Sequence, residues 1–156
     1  MAMNEYERML KQYMKDNRIE GEHLVFEQSC HSVEEAARAA NADPRQLVKN
    51  ICLIDNQGDL IVAIVSGGDR VSTSKVGRML GIEPPRIAES GEIEELTGYP
   101  CGGVPSFGYP ARFLIDSRVL EQESVLSGGG SQNSLVKIKV QELRRANQAL
   151  VGRIRK

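Results

Sequence analysis

Two apolar runs joined by a turn, KNICLID, NQG and DLIVAIVS (residues 49–66), restrict the folds open to this chain more than any other stretch. Aliphatic residues on both sides of Asn56 and Gly58 spell an antiparallel hairpin. The second run is apolar at every position from Leu60 to Val65, as a strand is when both of its faces are covered. Helical patterns alternate with strands elsewhere, but the hairpin excludes a purely parallel, doubly wound sheet. The expected class is α+β: a mixed sheet wrapped by helices. No linker or repeat divides the chain, so one domain over residues 1–156 is expected.

The remaining elements follow from local signals. Tyr6, Met9, Leu10, Tyr13 and Met14 recur at helical spacing. Residues 23–28 read as a strand. Ser32 and Glu35 form a capping box opening a helix over residues 33–42, and Asp43 with Pro44 starts a short one over 44–48. A helix over 74–80 stops at Gly81, an extended piece follows at 86–88, and a helix over 92–96 ends at Gly98. Strands are expected at 111–116 and at 134–140, where Leu135, Lys137 and Lys139 share one face and Val136, Ile138 and Val140 the other. The last 16 residues, QELRRANQALVGRIRK, read as a closing helix. YPCGGVPSFGYP (99–110) and SGGGSQN (127–133) suit neither element and read as shaped loops.

With 156 residues, 40 % hydrophobic and 26 % charged at net charge −1, the chain has the composition of ordinary globular proteins, not of disordered or nucleic-acid-coating ones. The opening MAMNEYERMLKQYMKDNR is charged throughout, unlike a signal peptide, and no apolar run approaches the roughly 18 residues of a membrane span. Cytoplasmic residence without a membrane partner is the expectation. Cys30, Cys52 and Cys101 are odd in number and scattered, which favours neither a disulfide framework nor a CxxC site.

Several chemistries can be tested directly. SGGDRVSTSK fails the phosphate-loop pattern, because no glycine precedes Lys75 and no Ser or Thr follows it; SGGGSQNS leads into a strand rather than a helix. His23 and His31 form no metal-ligand spacing, so neither a metal nor a cofactor is expected. Cys101 abuts Gly102 and Gly103, whose N–H groups can hold an oxyanion, so a thiol hydrolase stays open beside an incidental loop thiol. Lys49 enters an apolar strand, where a cation either reaches back to water or anchors an anionic or carbonyl-rich ligand.

LVKNICLIDNQGDLIVAIVSGGDRVSTSKVGRMLG, EIEELTGYPCGGVPSFGY, ARFLIDSRVL and SGGGSQNSLVKI resemble, in that order, the YbaK/ProX family of trans-editing aminoacyl-tRNA deacylases. Its domain is also inserted in bacterial-type prolyl-tRNA synthetases. The resemblance covers roughly residues 20–145. It implies a curved mixed sheet and hydrolysis of the ester joining a wrong amino acid to tRNA, with mischarged Ala-tRNA for proline as the leading substrate. It also implies a functional Lys49, a loop carrying Gly102 and Gly103 against the ester, and a second glycine pair, Gly128 and Gly129, beside the pocket. Cys101, Val104, Pro105, Ser106 and Phe107 would complete the wall. Ser106 stands where the family pattern has proline, and Leu135 or Val136 where some cysteine-selective members carry an acid. Lys137, Lys139, Arg144, Arg145, Arg153, Arg155 and Lys156 are candidates for the tRNA acceptor end, with a synthetase as a further partner. A non-catalytic tRNA- or synthetase-associated binding module is the alternative reading.

Overall fold

The structure, a computed structural model, describes residues 3–156. Short-range chemistry sets most element ends. Asn4 and Glu7 cap α1 (Glu5–Asp16) reciprocally, and after β1 (Glu22–Val25) Ser32 and Glu35 do the same for α2 (Val33–Ala40). Asp43 opens a 3-10 turn over Pro44–Gln46 that delivers the chain into β2 (Val48–Ile54) and β3 (Leu60–Ser66). Next come α3 (Thr73–Leu80), ended by Gly81, β4 (Arg86–Ile87), α4 (Ser90–Thr97), ended by Gly98, and β5 (Arg112–Asp116). A second 3-10 turn (Ser117–Glu121), β6 (Ser124–Gly128), β7 (Ser134–Lys139), α5 (Val140–Asn147) and β8 (Leu150–Gly152) complete the order.

The hairpin forms in the expected register, Val48 opposite Ser66 through Ile54 opposite Leu60. It lies inside a five-stranded sheet of order β4-β2-β3-β5-β8, in which β5 runs parallel to β3 and β8 parallel to β5. Both faces of β3 are covered, which accounts for its unbroken apolar run. Leu60, Val62 and Ile64 enter the main core with Leu10, Phe107 and Ile138, whereas Ile61, Ala63 and Val65 meet Val76, Leu114 and Ile154 on the other face. The mixed sheet of an α+β fold is thus present, and a second, antiparallel sheet of order β1-β7-β6 accompanies it. The two adjoin where Leu47 bridges Leu126. No helix among the described residues is long and apolar enough to cross a membrane.

The C-terminus corrects the expected helix over residues 141–156. α5 ends at Asn147, Gln148 turns left-handed at φ 56°, and the chain pairs with β5 as β8. The cause lies far away in sequence. The fully buried Asp116 carboxylate accepts the N–H groups of Ile154 and Arg155 at 2.8 and 3.0 Å and the Arg155 guanidinium at 2.8 Å. Extended backbone offers these donors; a helix would have used them internally.

Candidate active site

The parallel contact between the sheets leaves a cavity of about 210 Å³ at the start of β2. That is smaller than the roughly 300–1,000 Å³ of pockets for drug-sized ligands, and it suits a small group. Lys49, Asn50 and Cys52 from β2 line one side, Cys101, Gly102 and Val104 another, and Ser127, Gly128 and Ser134 a third. Cys30, His31 and Ala36 close it from the α2 side.

Lys49 is the only lysine or arginine in this lining, no carboxylate lines the cavity, and Lys49 is in none of the ion pairs among the described residues. Its neighbour Asn50 is tightly held. Asn50 Nδ2 donates to Val104 O at 2.9 Å and to Ser127 Oγ at 3.1 Å, while its Oδ1 accepts from Ser106 Oγ at 2.6 Å. One amide therefore ties both glycine loops to β2. Ser106, where the resemblance has proline, is fully buried and lies behind the lining; its hydroxyl supplies a bond that proline lacks.

The loops touch backbone to backbone. A Cβ on Gly128 would stand 2.1 Å from Val104 O, and one on Gly103 2.6 Å from Gly130 C, so no side chain fits between them. These contacts consume N–H groups. Gly103 donates to Pro100 O at 3.0 Å, Gly129 to Ser134 O at 3.2 Å and Gly130 to Gly103 O at 2.8 Å, whereas the Gly102 N–H has no backbone acceptor among the described residues.

Of the residues singled out from sequence, Lys49, Cys101, Gly102, Val104 and Gly128 meet around one cavity. Gly103, Pro105, Ser106, Phe107 and Gly129 stand behind it: Phe107 is fully buried and stacks on Tyr13 at 6.1 Å, and Pro105 O accepts the Tyr109 hydroxyl at 2.6 Å. Sequence reasoning missed Asn50, Ser127, Cys30, His31 and Cys52. A polar Asn50 beside Lys49 in an apolar strand was the available signal.

All three cysteines line the cavity. Burial pushes the Cys52 thiol up to about 12 and, with help from Glu35, the Cys30 thiol up to about 11, so both stay protonated near neutrality. Cys101 is exposed, and His31 Nδ1 lies 3.6 Å from where a Gly102 Cβ would stand. No hydrogen bond joins Cys101 to His31 or His23; His23 Nε2 instead meets Gly129 O at 2.8 Å. Among the described residues no group of three or more His, Cys, Asp or Glu side chains gathers to hold a metal.

The basic candidates for the acceptor end lie outside this lining. Lys137 sits opposite Glu22 across the β1–β7 ladder, and Arg145 is paired with Glu142. Arg155 is committed to Asp116. Lys139 and Arg144 are exposed on β7 and α5.

Residues 27–146 match the family model described as an aminoacyl-tRNA editing domain. The chain is 28 % identical over 120 residues to the uncharacterized protein YwhH of Bacillus subtilis (strain 168), a match covering 76 % of each chain. It is 24 % identical over 91 residues to a proline–tRNA ligase of Aquifex aeolicus (strain VF5), covering 58 % of this chain and 16 % of the ligase. A crystal structure described as a candidate trans-editing enzyme for prolyl tRNA synthetase superposes with a TM-score of 0.92 at 26 % identity, covering 99 % of both chains.

Proposed function

Since the chain belongs to the aminoacyl-tRNA editing domain family and is on that ground an aminoacyl-tRNA deacylase, we propose that its cavity receives the aminoacylated end of a mischarged tRNA for proline and releases alanine or a similarly small amino acid. The observation that carries this reading is Lys49: a cation with no ion-pair partner among the described residues, in a small cavity that none of their carboxylates lines. Such a site favours an anionic or carbonyl-rich ligand and disfavours a bare cation.

In the proposed reaction the oxygen of water adds to the ester carbonyl, the carbonyl oxygen takes up the negative charge, and the bond to the ribose oxygen breaks. Water's two protons end on the ribose oxygen and on the released amino acid, whose carboxyl then ionises. Among the lining N–H groups of the first glycine loop, those of Cys101, Gly102 and Val104 have no acceptor among the described residues; the Gly102 N–H is the one assigned here to the developing oxyanion, and losing one such donor costs about 10²–10³-fold in other hydrolases. Lys49 holds the ligand, and the vicinal ribose hydroxyl guides the water, so proximity supplies much of the acceleration. No side-chain nucleophile is needed. Selection in this reading is by size: a synthetase built for proline cannot strongly reject smaller amino acids, and the walls of the cavity would admit those in preference to proline.

The chain spans less than a fifth of the matched proline–tRNA ligase. By its likeness to the structure described as a candidate trans-editing enzyme, we place its action in trans, on tRNA released by such a synthetase or held by it. The test is deacylation of a panel of mischarged tRNAs. Faster release of alanine from tRNA for proline than of proline from the same tRNA is expected. A protein that binds these tRNAs but deacylates none faster than buffer would be the binding module instead.

A further inference from the structure

α1 lies outside residues 27–146, yet it grips the loop that forms the third side of the cavity. Glu7 is the point of attachment. It is 2 % exposed and in none of the ion pairs among the described residues. One carboxylate oxygen accepts the Asn4 N–H at 2.8 Å, and the other accepts the Ser131 hydroxyl. Ser131 Oγ is 2.7 Å from Ser134 Oγ, and Ser131 N–H donates to that same oxygen at 3.1 Å. A hydroxyl has one proton to give, and the carboxylate is the strongest acceptor in reach, so Ser131 donates to Glu7 and Ser134 to Ser131.

The backbone follows the same path. Gly130, at φ 103°, lies so close to α1 that a Cβ there would stand 3.0 Å from Tyr6 O and 3.1 Å from Glu7 N. Its N–H reaches across to Gly103 O, joining the second glycine loop to the first. A carboxylate enclosed with no cation paired to it among the described residues is a costly way to secure a helix that Leu10 and Met14 already anchor in the core. What it adds is direction: it fixes one hydroxyl, and through it the stretch from Gly128 to Ser134, both of whose ends line the cavity.

We propose that Glu7 is a positioning residue for the deacylation site, acting through Ser131 to hold the Gly128–Ser134 wall against Gly103. This rests on the deacylase reading above, and the experiment separates the two. Amide hydrogen exchange and steady-state deacylation of Ala-tRNA for proline are measured on wild type, Ser131→Ala, Glu7→Gln and Glu7→Ala. Ser131→Ala leaves the α1 cap intact, so it keeps the question answerable if Glu7→Ala fails to fold. In Ser131→Ala, exchange at residues 129–134 is expected to rise about tenfold or more while β2 and β3 amides keep their protection. The kcat is expected to fall about tenfold with KM changed less than threefold, the pattern of a group that orients rather than binds. Glu7→Gln, which keeps one acceptor, should fall between wild type and Glu7→Ala.

Loop exchange and kcat both unchanged in Ser131→Ala would overturn the proposal. So would faster exchange spread evenly through β2 and β3, since that is loss of stability alone. If wild type deacylates nothing, the deacylase reading fails, and the exchange pattern still decides whether Glu7 holds the wall.

Discussion

Arg155 and Lys49 are both drawn in against the five-stranded sheet, and the fold treats them in opposite ways. The Arg155 side chain is 13 % exposed and meets a carboxylate that is 0 % exposed, in an arrangement that also fastens two backbone N–H groups and the last strand. Lys49 has no such partner among the described residues, although its cavity is walled by backbone packed too closely for side chains. A covered charge whose partner is internal belongs to the fold; one left open beside a rigid wall is available to a ligand. The comparison predicts that altering the first changes stability, and altering the second changes activity.

The largest effect is expected at Asp116. Replacing it with Ala strands the Arg155 guanidinium and orphans the Ile154 and Arg155 N–H groups, at a cost of about 3–5 kcal/mol in urea denaturation. Deacylation per folded molecule should be unchanged. The same pair sets a pH dependence. Burial raises the Asp116 pKa, but the backbone N–H donors and Arg155 outweigh it and leave the value below the ordinary one. A depressed pKa contributes stability that is complete above the unfolded value, about 3.9, and is lost as pH falls through the folded value. Urea midpoints measured between pH 7 and pH 2 should therefore drop more for wild type than for Asp116→Asn.

Lys49→Ala comes next, with deacylation down about 100-fold, or about 2.7 kcal/mol of barrier, and stability unchanged within about 0.5 kcal/mol. Gly128→Ala should cost about 1–3 kcal/mol by pushing Val104 away, and should lower kcat with it; Gly102→Ala would meet only the flexible Gln132 and His31 side chains but must hold φ 93°, so its cost, about 1 kcal/mol or more, comes from backbone strain instead of a clash. The smallest effect is expected at Cys101. Cys101→Ser should cost less than about threefold in kcat, where a nucleophilic thiol would make it inactive. Iodoacetamide should label Cys101 ahead of Cys30 and Cys52, read by peptide mass.

What the sequence disclosed follows the same division between near and far. The capping box at Ser32, the N-cap at Asp43 before Pro44, the hairpin turn at Gly58 and the helix stops at Gly81 and Gly98 are decided within a few residues, and they stand where the local pattern puts them. β8 was not legible, because the residue that extends it is Asp116, 38 positions before Ile154. Gly152, awkward in a helix, was the one local hint. β6 was not legible either: residues 124–126 lie between the expected strand at 111–116 and the loop at 127–133, where no element is expected, and Ser127 and Gly128 fall within that expected loop. Lys49 and the glycine loops were visible as types of residue, but the Asn50, Ser106 and Ser127 bonds that join them span 21 to 77 positions. No local pattern encodes such a bond.

The most direct measurement is a single-turnover time course of alanine release from Ala-tRNA for proline, run side by side with wild-type protein and with Lys49→Ala shown to be folded. Release by wild type well above the buffer rate, falling about 100-fold in the variant, is the predicted result. Equal rates for the two proteins, or no release above buffer by wild type, would contradict the assignment of this cavity.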